Sequence, residues 1–170
     1  MRRWIVPAIT MILVAGAVHA QASFTAHIGT NIFRYERAFL ATGASLITGL
    51  GEQMELQLGG DFAIAREAAG AGEYDPIIVI PINAGLNFTF PADRTVFYLG
   101  TGVTPNIRIA AAENGGFGFF LGPYLKAGLR FQVHEVMSVF LDLQQDLLIG
   151  GPVWINTSTR ILTGIFFSIP

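Results

Sequence analysis

One segment alternates between two kinds of residue over fifteen consecutive positions, Phe117 to Phe131. Its odd-numbered positions are all apolar, whereas its even-numbered positions hold mainly glycine, lysine, arginine and aromatic residues. A two-residue period is typical of a β-strand with two different faces. At roughly 3.3 Å per residue, such a strand reaches about 50 Å, far longer than most strands of soluble sheets. Tilted by about 40°, it would cross a hydrocarbon layer about 25 to 30 Å thick. The segment indicates a membrane-spanning strand.

The N-terminus has the pattern of a secretory signal peptide. Arg2 and Arg3 precede an apolar stretch that ends in Val18-His19-Ala20, which fits the small-residue rule for cleavage. An uncleaved membrane helix is the alternative, but the apolar stretch is short and ends in small residues. We therefore predict a signal peptide over residues 1–20, with cleavage after Ala20 or Ala22. Residues 21–170 then form one domain.

Composition narrows the architecture of that domain. Hydrophobic residues make up 52% of the chain and charged residues only 13%, against about a quarter in soluble domains. No stretch after the signal approaches twenty consecutive apolar residues, so helical spans are not expected. A lipid-compatible chain that alternates locally favours a closed β-barrel. Without cysteine, neither a disulfide framework nor a lipoprotein anchor is expected.

Eight strands can be drawn between turn-forming segments. They run over Ser23–Arg34, Ala38–Gly49, Met54–Ala65, Ile77–Phe90, Thr95–Ala110, Phe117–Phe131, Val136–Leu148 and Thr157 to the end. Connections two, four and six are short, whereas those over Arg66–Pro76, Ala111–Gly116 and Ile149–Asn156 are longer. Outer-membrane barrels place short turns in the periplasm and longer loops outside. The sequence thus predicts an all-β, eight-stranded antiparallel up-and-down transmembrane barrel with both termini in the periplasm.

Three prolines fall within predicted strands: Pro81, Pro105 and Pro123. Because a closed barrel has no free edge, each proline removes a ladder hydrogen bond, and we expect it to lie at a β-bulge. A bulge would invert the two faces of the strand beyond it.

The charged residues of the strands fall on the faces opposite the apolar ones. Four are acidic and four are basic: Glu55, Asp61, Asp142, Asp146, Arg108, Lys126, Arg130 and Arg160. Alternation alone also fits a soluble, lipocalin-like lipid-binding barrel with an apolar interior. Eight balanced charges would cover the surface of a soluble barrel poorly, whereas they suit an enclosed lumen in which charges must be paired. We predict a lumen charge network, with Lys126 beside Asp142 and Asp146 beside Arg160.

Aromatic residues on the apolar faces lie near both ends of the strands. Phe88, Phe90, Phe97, Phe131 and Phe167 lie towards the short turns, and Phe62, Phe117 and Phe119 towards the longer loops. Two aromatic belts are expected at the two headgroup levels. Trp154, after Gly150-Gly151-Pro152, is interpreted as an interface anchor or as part of a small apolar contact site.

With these features, residues 21–170 resemble the small eight-stranded outer-membrane barrels of the OmpA, OmpX and OmpW kind. The final strand, ILTGIFFSIP, resembles the C-terminal segment by which the outer-membrane assembly machinery recognises such proteins, although it ends in Pro170 and not in phenylalanine. The resemblance implies a monomer in the bacterial outer membrane, in contact with its lipids.

Some barrels of this kind act on lipid A with histidine, serine and an acidic residue. After the predicted signal peptide only His27 and His134 remain, and neither has an obvious set of partners at the outer rim. We interpret His27 as a lumen histidine with a satisfied hydrogen bond. No cofactor or metal site is expected, because the Glu67–Asp75 segment is sparse in ligands and no histidine or cysteine cluster exists.

The sequence leaves a structural role and a transport role open. The first hypothesis is a non-enzymatic barrel with a closed lumen that contributes to envelope structure or displays its loops. The second is an OmpW-like conduit for small hydrophobic solutes, lined by Phe120, Phe140, Leu162 and Phe166. A nucleic-acid partner is not expected, because removing Arg2 and Arg3 from ten basic residues leaves eight against twelve acidic residues.

Overall fold

The computed structural model describes residues 22–70, 73–110, 116–150 and 154–169; within 66–70 and 73–75 the description covers the backbone. The strands are β1 (Ala22–Phe33), β2 (Arg37–Gly49), β3 (Met54–Gly70), β4 (Glu73–Ala92), β5 (Thr95–Ala110), β6 (Phe117–His134), β7 (Met137–Ile149) and β8 (Ile155–Ser168). Each pairs antiparallel with its neighbour in the chain, and β1 closes the barrel against β8. The predicted eight-stranded up-and-down barrel is confirmed. None of the described residues belongs to a helix that is long and apolar enough to cross a membrane.

Several predictions fall on residues that the structure does not describe. The signal peptide over residues 1–20 lies outside the described residues, as do positions 111–115, Pro152 and the terminal Pro170.

The connections define two ends of the barrel. The start of β1 and the end of β8 share one end with the connections over 50–53, 93–94 and 135–136, and we call it the short-turn end. At the opposite, long-loop end, β1, β3, β5 and β7 end and β2, β4, β6 and β8 begin. There, β1 joins β2 through a tight turn in which Glu36 N–H donates to Phe33 O at 3.2 Å.

The hairpin between β3 and β4 differs from the prediction. Arg66 pairs with Pro76 and Glu67 with Asp75, so β3 continues to Gly70 and β4 begins at Glu73. The predicted surface loop over Arg66–Pro76 is therefore wrong. The ladder is made by backbone groups, which pair even where the side chains no longer alternate.

The prolines lie in the strands without shifting the register. On β4, Gly60↔Ile82 and Ala63↔Val79 keep the same register on both sides of Pro81. Pairing between β5 and β6 is likewise regular through Pro105 and Pro123. The expected proline bulges are therefore wrong. A proline removes one donor without adding a residue, so the alternation of faces continues across it.

The two faces of the barrel carry opposite kinds of residue. On the outer face, Leu58 is 54% and Leu141 48% exposed, whereas Asp142 and Lys126 on the inner face are buried. The predicted aromatic belts are exposed on the outer face at Phe62, Phe88, Phe90, Phe97, Phe117, Phe119, Phe131 and Phe167. This arrangement is the reverse of a soluble lipid-binding barrel, whose apolar face turns inward.

Threonines on the outer face have internal hydrogen-bond partners. The hydroxyls of Thr42, Thr101 and Thr163 donate to backbone carbonyls of neighbouring strands at 3.1, 3.0 and 2.9 Å. In lipid, where water is absent, such bonds satisfy a polar group that would otherwise cost free energy.

Candidate functional site in the barrel interior

The interior is filled by three groups of side chains stacked along the barrel axis. Nearest the short-turn end is the Arg130 cluster, which consists of Arg130, Glu55, Lys126, Asp142, Gln57 and Tyr98. Above it lies the Arg160 cluster, which consists of Arg160, Asp61, Asp146, His27, Asn83 and Gln144. At the long-loop end lies an apolar cap, which consists of Phe33, Phe39, Ala41, Ala63, Ile77, Val79, Phe120, Leu148 and Leu162.

Arg160 is the centre of its cluster and has no exposed surface. Its Nη1 donates to Asp61 Oδ2 at 2.5 Å, and its Nη2 donates to Asp146 Oδ1 at 2.9 Å. Nε donates to Asp146 Oδ2 at 3.1 Å, which makes the contact with Asp146 bidentate. One guanidinium thus ties β8 to β3 and to β7.

Amide and imidazole groups complete this cluster. His27 Nε2 lies 2.5 Å from Asp61 Oδ1, and Asn83 Oδ1 accepts from Arg160 Nη2 at 2.7 Å. Gln144 Nε2 donates to Asp146 Oδ1 at 2.7 Å. Both carboxylates therefore have several partners, as buried charge requires. His27 adds a positive charge only when it is protonated.

The Arg130 cluster is built on a second bidentate pair. Arg130 Nη1 and Nη2 donate to the two carboxylate oxygens of Glu55 at 2.7 and 2.5 Å. The guanidinium carbon lies 4.3 Å from the centre of the Phe166 ring and 4.7 Å from that of Tyr98. Stacking on aromatic faces satisfies a cation where its hydrogen bonds do not reach.

Lys126 and Asp142 lie deeper in the same cluster. Lys126 Nζ is 3.8 Å from Asp142 Oδ2 and donates to Gln57 Oε1. The Tyr98 hydroxyl donates to Asp142 Oδ1, and Asn87 Nδ2 donates to Gln57 Oε1 at 3.2 Å. The cluster holds two positive and two negative side chains, so its formal charge is balanced.

Almost no space remains between the two clusters. The cavity there measures about 20 Å³ and is lined by members of both, including His27, Asp61, Lys126 and Asp142. That volume holds a single water molecule at most. A larger cavity, about 340 Å³, lies between the Arg130 cluster and the short-turn end, and Glu55, Arg130 and Phe166 form part of its lining.

Glycines on the inner face provide room for the long polar side chains. A Cβ at Gly43 would collide with Asp61 and His27, and a Cβ at Gly128 would collide with Asp142 and Tyr98. The clusters therefore depend on the absence of side chains at these positions.

The structure brings together seven of the eight predicted network residues. Both predicted pairs, Asp146 with Arg160 and Lys126 with Asp142, are present as contacts. Arg108 is the exception, because it lies at the mouth of the long-loop end beside Phe33 and Arg34. Among the described residues it forms no ion pair. Alternation predicts that Arg108 lies on the inner face, but it does not predict the position of Arg108 along the barrel axis.

The apolar cap was not predicted as a unit. Leu148, Val79 and Phe39 occupy inner-face positions and are fully or almost fully buried. The two-residue alternation of β2, β4 and β7 predicts that these three side chains point inward. Of the four residues proposed to line a conduit, Phe120 and Leu162 belong to the cap, whereas Phe140 and Phe166 pack with Ile47 near the short-turn end.

The remaining candidates for chemistry are separated in space. His27 is buried against Asp61, whereas His134 is exposed at the short-turn end. Within the described ranges, no group of three or more histidine, cysteine or acidic side chains is placed to hold a metal ion. Trp154 is 77% exposed at the long-loop end, where Gly150 N–H donates to its carbonyl at 3.2 Å.

Solved structures of bacterial surface barrels share this fold. Neisserial surface protein A is similar with a TM-score of 0.71 and 11% identity, over 88% of this chain and 97% of that one. A major outer membrane protein of Thermus thermophilus gives 0.59 and 11%, over 87% and 99%. The outer membrane protein OprG of Pseudomonas aeruginosa gives 0.58 and 9%, over 89% and 97%. No protein-family model matches the sequence, and no curated protein matches it significantly.

Proposed function

We propose that this chain is a non-enzymatic, integral protein of the bacterial outer membrane. Its closed barrel contributes to envelope structure or holds the long-loop end at the cell surface. The observation that carries the proposal is the distribution of residues between the two faces: large apolar side chains cover the outside, and paired charges fill the inside. Such a surface requires lipid around it, and a closed barrel leaves no unpaired strand edge in that lipid.

Two features of the interior support a lumen that does not conduct. Arg160, Asp61 and Asp146 cross the middle of the barrel, with about 20 Å³ of space beside them. Above them, the apolar cap occupies the long-loop half with Phe39 and Leu148 buried. A solute would have to separate ion pairs in a medium of low dielectric constant and then displace a packed apolar layer.

Planar-bilayer recording tests this proposal. The refolded protein should give no steady unitary conductance, whereas a general porin inserted under the same conditions should conduct. Reproducible single-channel steps from the pure protein would overturn the closed lumen and favour a conduit.

An OmpW-like conduit for hydrophobic solutes is less well supported. It needs a continuous apolar path. Phe120 and Phe166 lie on opposite sides of the charged clusters, whereas Phe140 and Leu162 line the small cavity between the clusters together with charged side chains. Detergent or alkane bound within the barrel would favour it.

We propose that the protein is a monomer among outer-membrane lipids, is inserted by the outer-membrane assembly machinery through β8, and binds no nucleic acid. A non-enzymatic role is supported by the position of His27, which is buried beside its side-chain hydrogen-bond partner Asp61, away from the barrel surface. Unchanged lipid A acylation after expression of the protein would agree with this role; altered acylation would contradict it.

A further inference from the structure

A small cleft opens at the mouth of the long-loop end, above the apolar cap. Its lining consists of Phe33, Arg34, Glu36, Arg37, Phe39 and Arg108, around a volume of about 90 Å³. Three of these residues are cationic, and Glu36 is the one carboxylate among the described residues of the lining. The cleft is therefore a positively charged recess at the expected level of the outer headgroups.

The arginines of the cleft differ from those of the interior. Arg130 and Arg160 are each held by carboxylates at 2.5 to 3.1 Å. Arg34 and Arg108 form no ion pair with any described residue, although Glu36 is close by. Arg37 has a polar interaction of its own. Two guanidinium groups thus share one recess in which no described carboxylate is paired with them.

The turn that carries Arg34 has an unfavourable backbone conformation. Arg34 and Tyr35 both have φ of 57°, the geometry of a type I′ turn, which favours asparagine and glycine. A bulky residue in this region costs conformational free energy and persists where the surroundings hold it. Here the Arg34 N–H donates to Thr157 O at 2.8 Å, and the Tyr35 hydroxyl donates to Gln145 Oε1 at 3.2 Å. The turn is fixed to β8 and β7, so Arg34 is held at the rim of the cleft.

We infer that this cleft binds a tetrahedral oxyanion, the phosphate or sulfate group of an ester. The guanidinium group presents paired N–H donors that match the oxygens of such an ester, and its charge persists at any physiological pH. The apolar floor of Phe33 and Phe39 lowers the local dielectric constant and strengthens the attraction. The inference goes beyond the proposed function and does not depend on whether the lumen conducts.

The test is a titration of the arginine Nε–H resonances by NMR, in nonionic detergent at constant ionic strength. Pyrophosphate should shift the Arg34 and Arg108 resonances saturably. R108Q should weaken binding at least tenfold, and R34Q should weaken it too. R94Q is the matched control, because Arg94 is exposed and lines the cavity at the opposite end of the barrel; it should bind within twofold of the unmodified protein.

Three results would overturn the inference: a shift that does not saturate, equal binding by R108Q, or an equal loss in R94Q. R34Q keeps the test valid if R108Q does not fold, because Arg34 is an exposed turn residue. Folding is checked by heat-modifiable gel migration.

A second arm separates the sources of the ester. The protein is placed in phosphatidylcholine nanodiscs that contain bisphosphorylated or dephosphorylated lipid A, or is titrated with glucose 6-phosphate. A shift of Arg108 with bisphosphorylated lipid A alone assigns the site to a membrane glycolipid, and a shift with glucose 6-phosphate assigns it to a soluble ester. If neither arginine resonance shifts in any of these experiments, the site is contradicted.

Discussion

The two halves of the interior are closed by different chemistry. Towards the short-turn end, charged and amide side chains cross the barrel, with Arg130 and Arg160 each in bidentate contact with a carboxylate. Towards the long-loop end, the apolar cap fills it with rings and branched chains. Ion pairs need matched partners at fixed positions, whereas apolar packing needs only volume. The charged half should therefore respond steeply to loss of one partner, and the cap should respond to lost volume.

Arg160→Leu should have the largest effect. It leaves Asp61 and Asp146 buried without their cation, which costs about 3–5 kcal/mol of unfolding free energy. Urea unfolding in detergent, followed by the gel-migration shift, measures the loss. Replacing all three residues by apolar ones should recover much of the stability, because no unpaired charge then remains. Arg94→Leu, at the exposed rim, is the control, and an Arg160→Leu variant as stable as this control would contradict the account.

Phe39→Ala tests the other half of the comparison. Removing the ring leaves a cavity in the cap and should cost about 3 kcal/mol. Phe39→Leu keeps most of the volume and should cost less than about 1.5 kcal/mol. Small and similar losses for the two variants, measured by the same unfolding assay, would show that the cap is not tightly packed.

Gly128→Ala tests the space that the Arg130 cluster needs. The new methyl group would press on Asp142 and Tyr98, and overpacking of this kind costs about 1–3 kcal/mol. Gly49→Ala is the matched control, since a Cβ there meets nothing within 4 Å. If both variants unfold at the same urea concentration, the cluster tolerates displacement and is not the close fit described.

The smallest expected effect lies on the outer face. Thr163→Val removes the hydroxyl that donates to Phe140 O at 2.9 Å, but its new methyl group faces lipid. The lost bond and the gained apolar contact should nearly cancel, within about 0.6 kcal/mol. A loss above about 2 kcal/mol in phospholipid vesicles would mean that this face is not in contact with acyl chains.

Alternation predicted the strands and their faces because both depend on a period of two that any sheet imposes. It did not predict the full β3–β4 hairpin, since Gly70 and Glu73 pair through backbone groups that leave no pattern in the sequence. The expected bulges were wrong for a related reason: Pro81 leaves one ladder bond unmade and the register unchanged.

Depth along the axis was the harder property to predict. Arg160 meets Asp61 across the barrel although 99 residues separate them in the chain. Which inward residues meet depends on the stagger of the strands around the closed barrel, and alternation within one strand carries no information about it. Partners on adjacent strands, such as Asp146 and Arg160, could be predicted by counting from a shared turn. The height of Arg108, two residues before the end of β5, could be counted in the same way, but its lack of a described ion-pair partner could not be predicted.

The most direct test of the central claim is the position of the two faces relative to lipid. The protein used begins at Ala22 and carries Trp154→Phe, so that it has no tryptophan of its own. A single tryptophan is then introduced at Leu58, Leu141 or Phe140. Each variant is refolded into vesicles of brominated phospholipid. Bromine should quench the fluorescence of the Leu58→Trp and Leu141→Trp variants strongly and leave that of Phe140→Trp largely unquenched. Strong quenching of Phe140→Trp with little effect on the other two would mean that the barrel is turned inside out relative to this account.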